Sequence, residues 1–202
     1  MKRLNTINMT LAALVLVCSS FLCPARAAEK INSEKIYDPG TLPPIDSQLS
    51  VSLGEKAPNF RLKAVSGEMI GPGSYLGKKN VLISFVPAAW TPVCSDQWPG
   101  YNIARPLFEQ YDTIILGISV DNLPTLFAWT GEMGDLWFPV LSDFWPHGRV
   151  SRQYGVLRSD GTSERALFLV DKQGILRFIH VSNINDRPDL GMIINALKRL
   201  SR

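Results

Sequence analysis

The sequence predicts an α/β domain in which a mixed central sheet is flanked by helices. Two continuous apolar runs of strand length, Asn80 to Val86 (NVLISFV) and Thr113 to Val120 (TIILGISV), read as strands buried on both faces. Two hairpin signals bracket them, and helical stretches fill the intervals. With 202 residues, 46% hydrophobic and 19% charged, the chain is long enough for one compact domain and unlike a disordered or fibrous chain.

The first hairpin joins Asn59–Ala64 to Met69–Ile70 through Val65-Ser66-Gly67-Glu68, with glycine in the turn. After the first buried strand comes an interrupted helical region reaching Tyr111. Pro99-Gly100 and Pro106 predict a kink or a split within it. Past the second buried strand, Pro124 opens a helix through Trp129, Phe138–Leu141 is a short strand, and His147–Tyr154 is a short helix. Arg165–Val170 and Ile175–Val181, joined by Asp171-Lys172-Gln173-Gly174, make the clearest hairpin. The last helix starts at Pro188 and places Leu190, Ile193, Ile194, Leu197 and Leu200 on one face, a plain core-packing pattern. This order is similar to a thioredoxin-like sheet with an N-terminal β-hairpin extension and an inserted helix.

The N-terminus is expected not to belong to the domain. Lys2 and Arg3 precede a short apolar run from Met9, Pro24 ends it, and Ala25-Arg26-Ala27 offers small residues for a signal peptidase. Residues 1–27 therefore read as a signal peptide cleaved after Ala27, with export to the periplasm or the extracellular space. An uncleaved anchor is the alternative. Removing the three basic residues in this stretch takes the net charge of +3 to zero, so no basic patch argues for nucleic acid. Cys18 and Cys23 leave as well, and Cys94 remains as the single thiol. Residues 28–50, with Pro39, Gly40, Pro43 and Pro44, read as an extended linker or arm, either a mobile tether or a segment docked on a neighbouring subunit. The domain proper then spans 51–202.

Pro87 ends the first buried strand, and Thr91-Pro92 is an N-cap and first-turn pair, which puts Cys94 in the first turn of a helix. There the sulfur faces unpaired N–H groups and the positive end of the helix dipole, a setting that suits a nucleophile. Position alone leaves an inert buried cysteine equally open. Trp90 and Trp98 flank the motif and read as packing residues or pocket walls. His147 and His180 lie near no cysteine or acidic cluster at ligand spacing, so no metal is expected.

Pro87-x3-Thr91-x2-Cys94 resembles the signature of the peroxiredoxins, the AhpC/TSA superfamily, and the likeness runs from about Leu53 to Leu200. Gly54-Glu55-Lys56-Ala57-Pro58-Asn59-Phe60 is similar to the family's entry motif, and Gly117-Ile118-Ser119-Val120-Asp121 to its second strand. Leu141-Ser142-Asp143-Phe144-Trp145-Pro146-His147-Gly148 with Tyr154-Gly155-Val156 is most similar to the AhpE type of one-cysteine peroxiredoxin. Arg165-Ala166-Leu167-Phe168-Leu169-Val170-Asp171 resembles the segment bearing the family's active-site arginine. The resemblance implies Cys94 as the peroxidatic cysteine, Thr91 bonding to the peroxide, Pro87 shielding the site, and Arg165 holding the thiolate and the O–O group. Gln97 matches a position where the family carries an acidic or amide group, which implies a polar role near the active-site arginine and a place in substrate binding, although a solvated helix residue fits it too.

The expected function is thiol-dependent reduction of hydrogen peroxide or organic hydroperoxides through a Cys94 sulfenic acid, with no cofactor. Without a second cysteine after cleavage, an external thiol, either a thioredoxin-like protein or a small thiol, must regenerate the enzyme. A homodimer is implied by the family. A thiol–disulfide oxidoreductase of this fold would need Cys-x-x-Cys, and Thr91 occupies the first of those positions. A peroxide sensor oxidised once at Cys94 stays open until turnover is measured.

Overall fold

The computed structural model describes residues 31–201; the predicted signal peptide, with Cys18 and Cys23, lies outside them. No helix among the described residues is long and apolar enough to cross a membrane. Among the described residues seven strands form one sheet: β1 (Leu62–Ala64), β2 (Met69–Ile70), β3 (Asn80–Phe85), β4 (Thr113–Ser119), β5 (Val140–Ser142), β6 (Ala166–Val170) and β7 (Leu176–Val181). Their order is β2-β1-β5-β4-β3-β6-β7. β3 and β4 are the apolar runs, buried along nearly their whole length. They pair in parallel, as do β4 and β5, while β6 joins β3 antiparallel and makes the sheet mixed. The first hairpin is shorter than the sequence suggests, and β1 bonds antiparallel to β5 across the sheet.

The helices are α1 (Pro92–Ile103), α2 (Arg105–Gln110), α3 (Leu123–Glu132), α4 (Arg149–Tyr154) and α5 (Leu190–Leu200). The expected interruption falls at Ala104, between α1 and α2. α1 continues through Pro99. Pro106, in the first turn of α2, has no N–H to carry the α1 ladder onward and so marks the break. α5 begins two residues after Pro188, because Asp189 is the cap: its carboxylate accepts the Met192 N–H at 2.8 Å. Asp143 does the same for α4, accepting the Val150 and Ser151 N–H groups and the Ser151 hydroxyl. Asp171 holds the β6–β7 turn by accepting the Gln173 and Ile175 N–H groups.

Gly117 in β4 shows how tightly α1 is seated. It pairs with Ser84 of β3, and the fully buried Trp98 of α1 packs over it; a Cβ on Gly117 would lie 2.9 Å from Trp98 Cζ2. Gly117→Ala is therefore expected to cost about 1–3 kcal/mol through overpacking, read as a lower midpoint in chemical denaturation with an unchanged m-value.

Residues 31–50 contain only one short 3-10 turn, Ser33–Lys35, and otherwise run extended. They lie along their own domain instead of hanging as a tether. The Tyr37 N–H donates to the Trp90 carbonyl at 2.7 Å, the Ile184 N–H to Pro44 at 3.2 Å, and the Ser50 N–H to Tyr154 at 3.3 Å. Most of these bonds use the arm's main-chain groups, which explains why so few large apolar residues suffice to hold it.

Candidate active site

Antiparallel pairing of β3 with β6 builds the site. Phe85 lies opposite Ala166, so the chain leaving β3 toward Pro87 runs beside Arg165, one residue before β6. The loop after β3 is fixed from two sides: the Ala89 N–H donates to Asp121 at 2.8 Å, and the Ser163 hydroxyl donates to the Val86 carbonyl at 2.8 Å. It then feeds α1 with Pro92 as the first helical residue. Cys94 sits in the first turn, where the N–H groups of Val93 and Cys94 have no acceptor within the helix.

The Cys94 thiol is fully buried, and Arg165 Nη2 approaches its sulfur to 3.4 Å. The guanidinium is itself buried and held rigidly. Nε and Nη2 both donate to the Ile184 carbonyl, at 3.1 and 3.0 Å, and Nη1 donates to Gln97 Oε1 at 2.7 Å. No carboxylate pairs with Arg165 among the described residues. A buried cation needs compensation, and the Cys94 sulfur is the one atom touching it that can carry negative charge.

Behind Arg165 lies a closed polar network. Gln97, fully buried, turns its amide nitrogen to Ser84 Oγ at 3.2 Å and to the Tyr101 hydroxyl at 3.0 Å. Trp98 Nε1 donates to the same Ser84 oxygen at 3.3 Å. Burial pushes the Tyr101 phenol up to about 12, so it stays neutral. Gln97 thus positions Arg165 and does not line the pocket: every hydrogen-bonding group of its amide that the network engages faces protein. The expected polar role near Arg165 is thus met from behind the guanidinium and not from the pocket wall, and the solvated reading fails because Gln97 is fully buried.

Thr91 occupies the N-cap position, yet its side chain makes no capping bond. Its hydroxyl instead donates to the Ala88 carbonyl at 2.9 Å, which leaves the oxygen lone pairs free to accept. Pro87 and Thr91 line a pocket of about 540 Å³ together with Arg165. Trp90 and Trp98 do not line it; Trp98 packs on Trp129 and Phe138 in the core. His147 bonds to the Gly161 carbonyl at 2.9 Å, and His180 stacks on Phe178.

Sequence reasoning did not reach Ser84, Tyr101 or Ile184. Ser84 carried a signal, a hydroxyl inside an otherwise apolar strand, and Tyr101 follows Gln97 by one helical turn. Ile184 contributes only its carbonyl, which no side-chain pattern can reveal.

The arm closes over this site. The Leu42 N–H donates to Asn185 Oδ1 at 3.0 Å, and Asn185 returns its amide to the Leu42 carbonyl at 2.9 Å. Arg158 Nη2 donates to the Pro43 carbonyl, the Asp46 N–H to Glu164, and Ser159 to the Asp46 carboxylate through both its N–H and its hydroxyl. Hydrogen bonds from the Ser159 hydroxyl and N–H hold the Asp46 carboxyl below its ordinary value of 3.8. Because the folded value is depressed, this contribution to docking is complete above pH 3.8 and is lost as the pH falls through the lower folded value. Hydrogen exchange of residues 37–46, corrected for intrinsic rates, is expected to speed up in that acid range before the β3 and β4 amides respond.

The AhpC/TSA family profile matches residues 53–179. Alkyl hydroperoxide reductase E of Mycobacterium tuberculosis is 37% identical over 152 residues, which span 75% of this chain and 99% of the relative. The chloroplastic 2-cysteine peroxiredoxin of Chattonella marina var. antiqua is 34% identical over 161 residues, 75% of this chain and 82% of the relative. Among solved structures, the reduced 2-Cys peroxiredoxin of Plasmodium vivax has a TM-score of 0.68 at 28% identity, covering 74% of this chain and 81% of its own. Mycobacterium tuberculosis AhpC has a TM-score of 0.68 at 25% identity, covering 75% and 93%. The matched stretch takes in both halves of the site, the loop carrying Thr91 and Cys94 and the strand start carrying Arg165, and the chain belongs to the AhpC/TSA family: it is a peroxiredoxin.

Proposed function

We propose that this protein is a thiol-dependent peroxidase that reduces hydroperoxides at Cys94 by a one-cysteine mechanism. The supporting observation is the Arg165–Cys94 contact of 3.4 Å, made by a guanidinium whose other donors are already fixed on Ile184 and Gln97. The Cys94 thiolate attacks one peroxide oxygen, an S–O bond forms, and the O–O bond breaks. The departing oxygen leaves with the bonding pair and takes a proton, giving a Cys94 sulfenic acid and water or an alcohol. Charge builds on that departing oxygen, and donors fixed in advance stabilise it without reorganisation. Arg165 supplies them, since a guanidinium has several rigidly arranged N–H groups. Thr91, whose own proton is engaged by Ala88, accepts the peroxide O–H and turns the substrate toward sulfur.

Cys94 is the single cysteine among the described residues. An external thiol therefore displaces water from the sulfenic sulfur to give a mixed disulfide, and a second thiol releases Cys94 with formation of the reductant's disulfide. Export with loss of residues 1–27 removes Cys18 and Cys23 and leaves this route as the available one. We place the enzyme outside the cytoplasm on the strength of that N-terminal pattern. A homodimer fits the exposed Phe144 and Trp145 side chains, the latter 80% exposed.

The test mixes purified protein with hydrogen peroxide and follows Cys94 by intact mass and stopped-flow tryptophan fluorescence. Oxidation far faster than that of a free thiol, with peroxide loss sustained by dithiothreitol or a thioredoxin, is the expected result. A single stoichiometric oxidation would point to a sensor, and oxidation at the free-thiol rate would sink the proposal.

A further inference from the structure

Two supports aim Arg165 at Cys94, and they are not equally rigid. Gln97 is set in α1 and locked from behind by Ser84 and Tyr101. The other support is the Ile184 carbonyl, which takes bonds from Nε and Nη2 at 3.1 and 3.0 Å. Ile184 belongs to no helix or strand and lies in the turn between β7 and α5. A turn without ladder bonds keeps its carbonyl direction only as well as its other contacts allow.

Beyond bonds internal to the turn, Ile184 and Asn185 are tied to the arm. The Ile184 N–H donates to the Pro44 carbonyl at 3.2 Å, and the Asn185 amide exchanges two bonds with the main chain of Leu42, at 3.0 and 2.9 Å. Residue 184 thus faces the arm with its N–H and the guanidinium with its carbonyl. On the other side, Glu164, the chain neighbour of Arg165, accepts the Asp46 N–H at 2.6 Å. The far end of this arm segment is fixed where the Tyr37 N–H donates to Trp90, one residue before the N-cap of the cysteine helix. Trp90 has a φ of 61°, in the left-handed region that a bulky side chain avoids, so neighbouring contacts must hold it there. Between these anchors Tyr37, Pro39 and Leu42 line the pocket opposite Thr91 and Arg165. The arm and the Ile184–Asn185 turn both fall outside residues 53–179, the stretch matched to the family.

We propose that the docked arm is a positioning element of this enzyme, with Asn185 as its latch. By bracing the turn, the arm holds the Ile184 carbonyl where Arg165 meets the Cys94 sulfur; a released arm leaves the guanidinium resting on Gln97 alone. The proposal rests on the peroxidase reading above and assigns part of the reactivity of Cys94 to residues outside the catalytic motif.

The test is a double-mutant cycle on the full chain, read as the second-order rate of Cys94 oxidation by hydrogen peroxide. Asn185→Ala removes both bonds to Leu42, and Leu42→Pro removes the donor of one of them while leaving Asn185 in place. Each is expected to slow oxidation about tenfold, because a support displaced by a fraction of an ångström misaims the donors it carries. In an Arg165→Ala background the same substitutions are expected to cost less than about twofold, since the group they position is gone. Coupling is reciprocal, so Arg165→Ala is expected to speed hydrogen exchange at the Leu42 and Ile184 amides at least about fivefold, with the β3 amides as the internal reference. An unchanged rate in both arm-releasing variants, an equal loss in both backgrounds, or unchanged exchange in Arg165→Ala overturns the proposal. If the unmodified protein reacts with peroxide no faster than a free thiol, the peroxidase reading falls, and the exchange measurement still decides whether arm and arginine are coupled.

Discussion

Arg165→Ala is expected to slow oxidation of Cys94 by hydrogen peroxide about 10²–10³-fold, the usual cost of removing one fixed donor from a site where negative charge develops. The effect is large because Arg165 is the only cation touching the sulfur among the described residues, and its position is imposed by three acceptors it does not choose. Truncation also strands Gln97 Oε1 and removes two bonds to Ile184, so a stability loss of about 1–3 kcal/mol accompanies it. Arg165→Lys separates the two effects. It keeps the charge, but one ammonium cannot span Ile184, Gln97 and Cys94 at once, so it is expected to recover only a small part of the rate. Competition kinetics against a peroxidase of known rate, run beside thermal unfolding, reads both. An unchanged rate in Arg165→Ala would remove the guanidinium from the mechanism.

Glu164→Ala is expected to cause the largest loss of stability, about 3–5 kcal/mol. The Arg158 and Glu164 side chains are 1% and 0% exposed and meet at 2.8 Å. Arg158 Nε already lacks a hydrogen-bond partner, and without Glu164 the buried guanidinium keeps only the Pro43 carbonyl and Asp160 at 3.6 Å. In a domain of this size the loss corresponds to a fall in Tm of about 6–20 °C. The same substitution removes the acceptor of the Asp46 N–H, so it also loosens the arm. Arg158→Met/Glu164→Met, which removes both charges, is expected to be less damaging than Glu164→Ala. A double variant as unstable as the single one would show that the pair acts through shape and not through charge.

Some of this was legible along the chain. β3 and β4 declared themselves because a strand buried on both faces must be apolar at every position, with no alternation to confuse. The β6–β7 hairpin declared itself through Asp171 and Gly174. Cys94 could be placed in a first helical turn because Pro87 and Thr91-Pro92 constrain backbone conformation locally. The family resemblance set Gln97 near the active-site arginine, but spacing alone did not. Nothing within one turn of helix says that its amide closes on an arginine 68 residues away.

The arm was read least well. Its composition, rich in proline and poor in large apolar residues, fits a tether, and the bonds that dock it join Leu42 to Asn185 and Asp46 to Glu164, 143 and 118 residues apart. Such bonds leave no periodicity, since a main-chain N–H looks the same in every residue.

By itself, then, the sequence determined the mixed α/β architecture, the position of Cys94 in a helix start, and the shortage of other thiols after residue 27, all consequences of local backbone preference and of which residues water excludes. Only the tertiary structure decided which side chains meet the sulfur. The β3–β6 register brings Arg165 to Cys94, Ile184 and Gln97 fix it there, and the arm folds back to give the pocket its second wall. Those choices depend on hydrogen bonds and charges brought together across the chain, and they exist only once the sheet has assembled.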